Sequence, residues 1–106
     1  MGFPNIQTIS YLSLRYCTKE VISRIQNVKK LEIAGYRCHD HESYSNNLVH
    51  LHQLESLRLK FYRYSGFPSA KAFPATLLKL KLQETKLSWS YLDIIAELPN
   101  LEVLKL

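Results

Sequence analysis

The chain has 106 residues, is 46% hydrophobic and carries a formal net charge of +5 from 14 basic and 9 acidic side chains. That length fits one compact domain or part of a larger one, and the composition argues against disorder. No apolar run approaches the roughly 18 residues that a membrane-spanning helix needs.

Two cysteines, Cys17 and Cys38, are too few for a disulfide scaffold, and no Asn-x-Ser/Thr acceptor occurs. Together these favour an intracellular chain with free thiols. The opening Met1-Gly2-Phe3-Pro4-Asn5-Ile6 lacks the basic start and small-residue cleavage site of a signal peptide. Gly2 is no myristoylation signal either, because Ile6 stands where that motif wants Ser or Thr.

An apolar pattern of the form Leu-x-x-Leu-x-Leu, with Ile or Val allowed, recurs along the chain. It begins with Ile9-Leu12-Leu14, led in by Phe3 and Ile6, and Cys17 follows three residues after Leu14. The second copy is Val28-Leu31-Ile33, led in by Ile22 and Ile25. A polar stretch, 36–47, then reads as the longest loop. The third copy is Leu54-Leu57-Leu59, led in by Leu48 and Leu51. Residues 61–72, rich in aromatics and containing Gly66 and Pro68, form a second irregular segment. The fourth copy is Leu77-Leu80-Leu82, with Pro74 before it and Thr85 after it in the place of Cys17. Residues 88–98 read as a short helix capped by Ser88 or Ser90, with Leu92, Ile95 and Leu98 on one face and Trp89 packing in the core or at its edge. Pro99 and the fifth copy, Leu101-Leu104-Leu106, close the chain.

The first positions of the copies are 19, 26, 23 and 24 residues apart. Each copy starts with period-three apolar residues, the signature of a helical or 3-10 turn, and ends with a period-two step, the signature of a short strand. Both faces converge on one core that a single copy cannot close but stacked copies can. The expected fold is therefore an α/β solenoid over 1–106, a leucine-rich-repeat horseshoe segment of about five repeats. Short parallel strands would line its concave face, and helices, 3-10 turns and loops its convex one. No polar cap is visible at either end, so the chain reads as an interior slice of a longer repeat domain, marginally stable alone.

The stretch Thr85-Lys86-Leu87-Ser88-Trp89 through Leu98-Pro99-Asn100-Leu101-Glu102-Val103-Leu104-Lys105-Leu106 resembles the leucine-rich-repeat region of plant nucleotide-binding disease-resistance receptors, most closely the late-blight-resistance type of nightshades. The segments 54–59 and 73–77 are similar in style. The resemblance implies a cytoplasmic immune receptor, with membrane association only through the parent protein, and a role in pathogen recognition and defence. It also implies that ADP or ATP binds elsewhere in that parent. This chain has no Gly-x-x-x-x-Gly-Lys-Ser/Thr loop, its glycines being Gly2, Gly35 and Gly66, so no cofactor is expected here. The alternative reading is the substrate-recognition repeat domain of an F-box ubiquitin-ligase subunit. A flanking P-loop module would favour the first and a flanking F-box helical domain the second.

In such a solenoid the residues flanking the strand leucines point out of the sheet. They are Tyr11, Ser13, Arg15, Lys30, Glu32, Ala34, Ser56, Arg58, Lys60, Lys79, Lys81, Gln83, Val103 and Lys105. Seven of these fourteen are basic (Arg15, Lys30, Arg58, Lys60, Lys79, Lys81 and Lys105) and one is acidic, which predicts an electropositive groove for an acidic protein surface. By resemblance the partner is the receptor's own nucleotide-binding module or a pathogen or host protein. The groove lacks interleaved aromatics, which argues against nucleic acid. Cys38-His39-Asp40-His41 with His50 and His52 has no structural-zinc spacing, and no catalytic motif groups Ser, His and Asp. Neither a metal site nor an enzyme nor a small-molecule substrate is expected, and Cys17 reads as an inert buried thiol.

Overall fold

A computed structural model describes residues 2–35, 46–61, 71, 73–83 and 89–106; of Asn46, Phe61, Trp89, Ser90 and Tyr91 it describes the backbone alone. Five strands form one parallel sheet in chain order: β1 (Thr8–Ser13), β2 (Lys30–Gly35), β3 (Ser56–Phe61), β4 (Lys79–Gln83) and β5 (Val103–Lys105). A parallel neighbour needs a crossover on one side of the sheet. Among the described residues the connections include helix α1 (Lys19–Arg24), helix α2 (Trp89–Ile95) and the 3-10 turns Leu14–Tyr16 and Asn46–His50. This is an α/β arrangement.

The strands repeat one hydrogen-bond device. The carbonyl just ahead of each strand takes two N–H groups from the next strand's entry. Gln7 O receives Lys29 N and Lys30 N (2.7 and 3.0 Å), and Lys29 O receives Glu55 N and Ser56 N (2.9 and 3.0 Å). Glu55 O receives Leu78 N and Lys79 N (2.8 and 2.9 Å), and Leu78 O receives Glu102 N and Val103 N (2.8 and 3.0 Å). A tight turn leads into the first four strands: Ile6 N donates to Phe3 O, Val28 N to Ile25 O, Leu54 N to Leu51 O and Leu77 N to Pro74 O. The first three are period-three lead-ins of the sequence, and in the fourth copy Pro74 takes that place.

Alternation then sorts the strand residues. Leu31, Leu57 and Leu80 lie side by side in register and are at most 3% exposed, as are Ile33, Leu59 and Leu82 to within 4%. They pack against Ile22, Ile25 and Val28 of the first connection, Leu48, Leu51 and Leu54 of the second, Phe73 and Leu77 ahead of β4, and Ile95 and Leu98 after α2. Each such side chain contributes roughly 1.5–3 kcal/mol by leaving water. Thr18 caps α1 by accepting Val21 N–H at 3.2 Å, and Leu92 lies half-buried beside Ile95 and Leu98, as their spacing predicts.

The structure corrects three local readings. The first copy is out of frame: β1 pairs Ile9 with Leu31 and Leu12 with Ile33, with a register shift between them. Ile6, not Ile9, is the counterpart of Val28, so the first spacing is 22 residues and not 19. Two residues, Ser10 and Tyr11, separate the apolar pair where β2 has only Glu32, and the extra residue bulges. Leu14 has left the strand and enters the core from the 3-10 turn. Second, the expected loop 36–47 ends early, because Asn46 and Asn47 begin a 3-10 turn. Third, α2 starts at Trp89, which makes Ser90 its second residue and not its cap. Ser88, Thr85, Cys38 and the aromatics of 62–70 lie outside the described residues.

Candidate interaction face

One face of the sheet covers the core and the other is open. The open face is built in rows by the strand register. The first row runs Thr8, Lys30, Ser56, Lys79, Val103; the second runs Glu32, Arg58, Lys81, Lys105; the third runs Ala34, Lys60, Gln83. Six of the seven basic residues expected on the face stand in these rows. Lys30, Lys79 and Lys105 are exposed, and Arg58, Lys60 and Lys81 are half-buried.

Arg15 does not join them. The bulge in β1 shifts the frame, so Arg15 falls in the 3-10 turn Leu14–Tyr16, exposed but beyond the strand. Ala34 is also misplaced as an open-face contact, being 2% exposed in register between Ser13 and Lys60. Tyr11, at the bulge, is 59% exposed.

Charge on the face is uneven. Arg58 Nε lies 3.8 Å from Glu32 Oε1, and Arg58 donates through Nε at 2.8 Å and through Nη2 to Gln83 Oε1. A half-buried ion pair this long, 3.8 Å, adds little stability. Its consequence is for the field: the one acidic side chain in the rows offsets the one arginine. Lys30, Lys79, Lys81 and Lys105 have no ion pair among the described residues. Three of them sit on β4 and β5, so the positive potential concentrates at that end. Lys81 and Lys105 stand on adjacent strands about 4.8 Å apart, where like charges repel.

Two features lie off the face. Polar side chains just ahead of the first leucine of each copy tie neighbouring units together. Asn27 donates to Pro4 O (2.7 Å), Gln53 to Asn27 Oδ1 (3.0 Å), Thr76 to Leu54 O (2.7 Å) and Asn100 to Ala75 O (2.7 Å). The repeated amide or hydroxyl at that position was the available signal. Asn47, buried to 8% exposure, donates to Cys17 O across thirty residues at 2.8 Å.

Cys17 itself is free and fully buried, and burial pushes its thiol from 9.0 up to about 12. A raised pKa means that the folded state keeps its proton while the unfolded thiol loses it. The stabilisation is complete below pH 9 and declines as pH rises from 9 towards 12. We expect native Cys17 to resist alkylation, and the unfolding free energy to fall more steeply above pH 9 than in Cys17→Ala. Equal pH slopes for the two proteins would contradict the assignment.

His50 and His52 are exposed, Cys38-His39-Asp40-His41 lie outside the described residues, and among the described residues no three His, Cys, Asp or Glu side chains gather as metal ligands. Among the same residues no helix is long and apolar enough to cross a membrane. No protein-family model matches the chain, and no curated protein matches it.

Proposed function

We propose that this chain is a leucine-rich-repeat solenoid segment that recognises an acidic protein surface through its open sheet face and performs no catalysis. The carrying observation is the in-register set of parallel strands presenting Lys79, Lys81 and Lys105 without ion pairs to any described residue. The repeated bifurcated hydrogen bonds at spacings near 24 residues fit a repeat architecture, in which each unit buries its apolar side on its neighbours. With the resemblance of the last repeat, this supports a recognition segment of a cytoplasmic plant immune receptor, whose partner is the parent's nucleotide-binding module or a pathogen or host protein. Nucleotide would bind to the parent and not to this chain.

Lysines of an open face shape both affinity and encounter rate, and both effects weaken with salt. The nucleotide-binding module encoded beside this segment should bind it, and binding should weaken as ionic strength rises. The triple variant K79E/K81E/K105E should lose at least about tenfold in affinity. Unchanged affinity in the variant would sink the face reading, and a gene that encodes no such module would sink the immune-receptor reading.

A further inference from the structure

A groove on the flank of the sheet carries charge of the opposite sign. The residues just ahead of β2–β5 (Lys29, Glu55, Leu78 and Glu102) form a row, because each carbonyl takes its N–H groups from the next member. Beside this row lies a groove of about 700 Å³, lined by Glu55, Leu78, Leu101 and Glu102 and, at its far end, by Lys29 and His52, so that its two glutamates outnumber its one lysine. Leu78 and Leu101 are half-buried and give it an apolar floor, while Glu55 and Glu102 are exposed. Neither glutamate makes an ion pair with a described residue.

Spacing selects the occupant. Leu78 separates the two glutamates in the row, so they stand two strand spacings apart, about 9.6 Å. A β-strand brings side chains back to one face every two residues, about 6.6–6.8 Å. An α-helix does so every turn, about 5.4 Å, and every second turn, about 10.8 Å, both further from 9.6 Å than the repeat that follows. A polyproline II helix returns every third residue at about 3.1 Å rise, a repeat of about 9.3 Å. It also has no internal hydrogen bonds, so its carbonyls can accept the second amide N–H of Gln53 and of Asn100 and its non-proline N–H groups can donate to the Thr76 hydroxyl, all three being fixed by their bonds to neighbouring units. Lys29 lies one spacing beyond Glu55 and repels cations there, which limits the basic positions to two.

We propose that this groove binds a polyproline II segment of a partner protein carrying arginine or lysine at positions i and i+3, with the aliphatic stems over Leu78 and Leu101 and the charged ends on Glu55 and Glu102. The site is separate from the basic face and does not depend on that reading.

The probe is a blocked hexapeptide, Pro-Arg-Pro-Pro-Arg-Pro, titrated into the whole chain by calorimetry. Controls carry the arginines at i and i+2, or glutamates in their place. The i,i+3 peptide should bind at least about tenfold tighter than either control. E55Q/E102Q, at two exposed positions where folding is not at stake, should lose at least about tenfold, whereas K79E/K81E/K105E should bind the peptide as the wild type does. Equal affinity for the two arginine spacings, or full binding by E55Q/E102Q, would overturn the proposal.

Discussion

Truncation of Leu57 to alanine should cost about 2–5 kcal/mol, whereas the same truncation at Leu104 should cost less than about 1 kcal/mol. The two leucines hold the same place in their copies. They differ in what covers them. Leu57 is 1% exposed, in the central strand β3, with Leu31 on one side and Leu80 on the other. Removing its isobutyl group leaves a cavity that both flanking strands line, and close-packed neighbours relax only partly into it. Leu104 is 39% exposed on β5, and its register partner on the described side is Leu80 alone. A small domain has about 5–15 kcal/mol of stability in total, so L57A should lose a large share of it while L104A keeps most of it. Urea unfolding followed by circular dichroism would measure both. Equal losses at the two sites would mean that burial is not graded along the sheet as described.

The same gradation bears on the open face. Repulsion between Lys81 and Lys105 stabilises nothing in the free protein, and no described acid relieves it. Arg58 has such relief from Glu32, and Gln83 also holds its guanidinium. A partner that places carboxylates over β4 and β5 therefore relieves repulsion there, while one placed over β2 and β3 meets Glu32 first. On the proposed reading, an acidic surface would therefore centre on the β4–β5 end, which is where the triple charge reversal is aimed.

Much of this arrangement is legible in the residues. The period-three and period-two runs around Leu31, Leu57 and Leu80 fix both the strands and the inward side chains, because only a strand puts alternate residues on one face and only a tight turn does so at every third. The row Arg58, Lys81, Lys105 follows from the same register. What fails is local. Ile9-Leu12-Leu14 satisfies the pattern by spelling, yet a bulge at Ser10-Tyr11 moves the pairing and takes Arg15 off the face. A consensus counts residues and cannot tell a strand step from a bulge of equal apolar spacing. The Glu32–Arg58–Gln83 contact joins three successive copies and the flank groove spans four, which no single copy displays. By its residues Asn47 belongs to a polar loop, because amides are usually exposed.

That asparagine supplies the last expected result. Its side-chain amide donates to the carbonyl of Cys17 inside the protein, just ahead of the Thr18 cap of α1. Asn47→Ala removes the donor and leaves a buried carbonyl without it, which should cost about 1–3 kcal/mol. Asn47→Asp is the sharper test. At neutral pH it sets a carboxylate against a carbonyl oxygen in a site with little water, so it should be less stable than Asn47→Ala. Burial and the facing oxygen both disfavour the charged form and raise the folded-state pKa of the new acid above its unfolded value near about 3.9. A group raised in this way is most stabilising when protonated, below its unfolded pKa, and loses that contribution as pH rises through its folded value. Protonated, it can also donate to the Cys17 carbonyl as the amide does. The deficit of Asn47→Asp relative to wild type should therefore shrink on acidification while that of Asn47→Ala stays constant. Denaturant titrations of the three proteins at acid and neutral pH would decide it. A deficit in Asn47→Asp that does not change with pH would remove Asn47 from its role as a buried tie between neighbouring units.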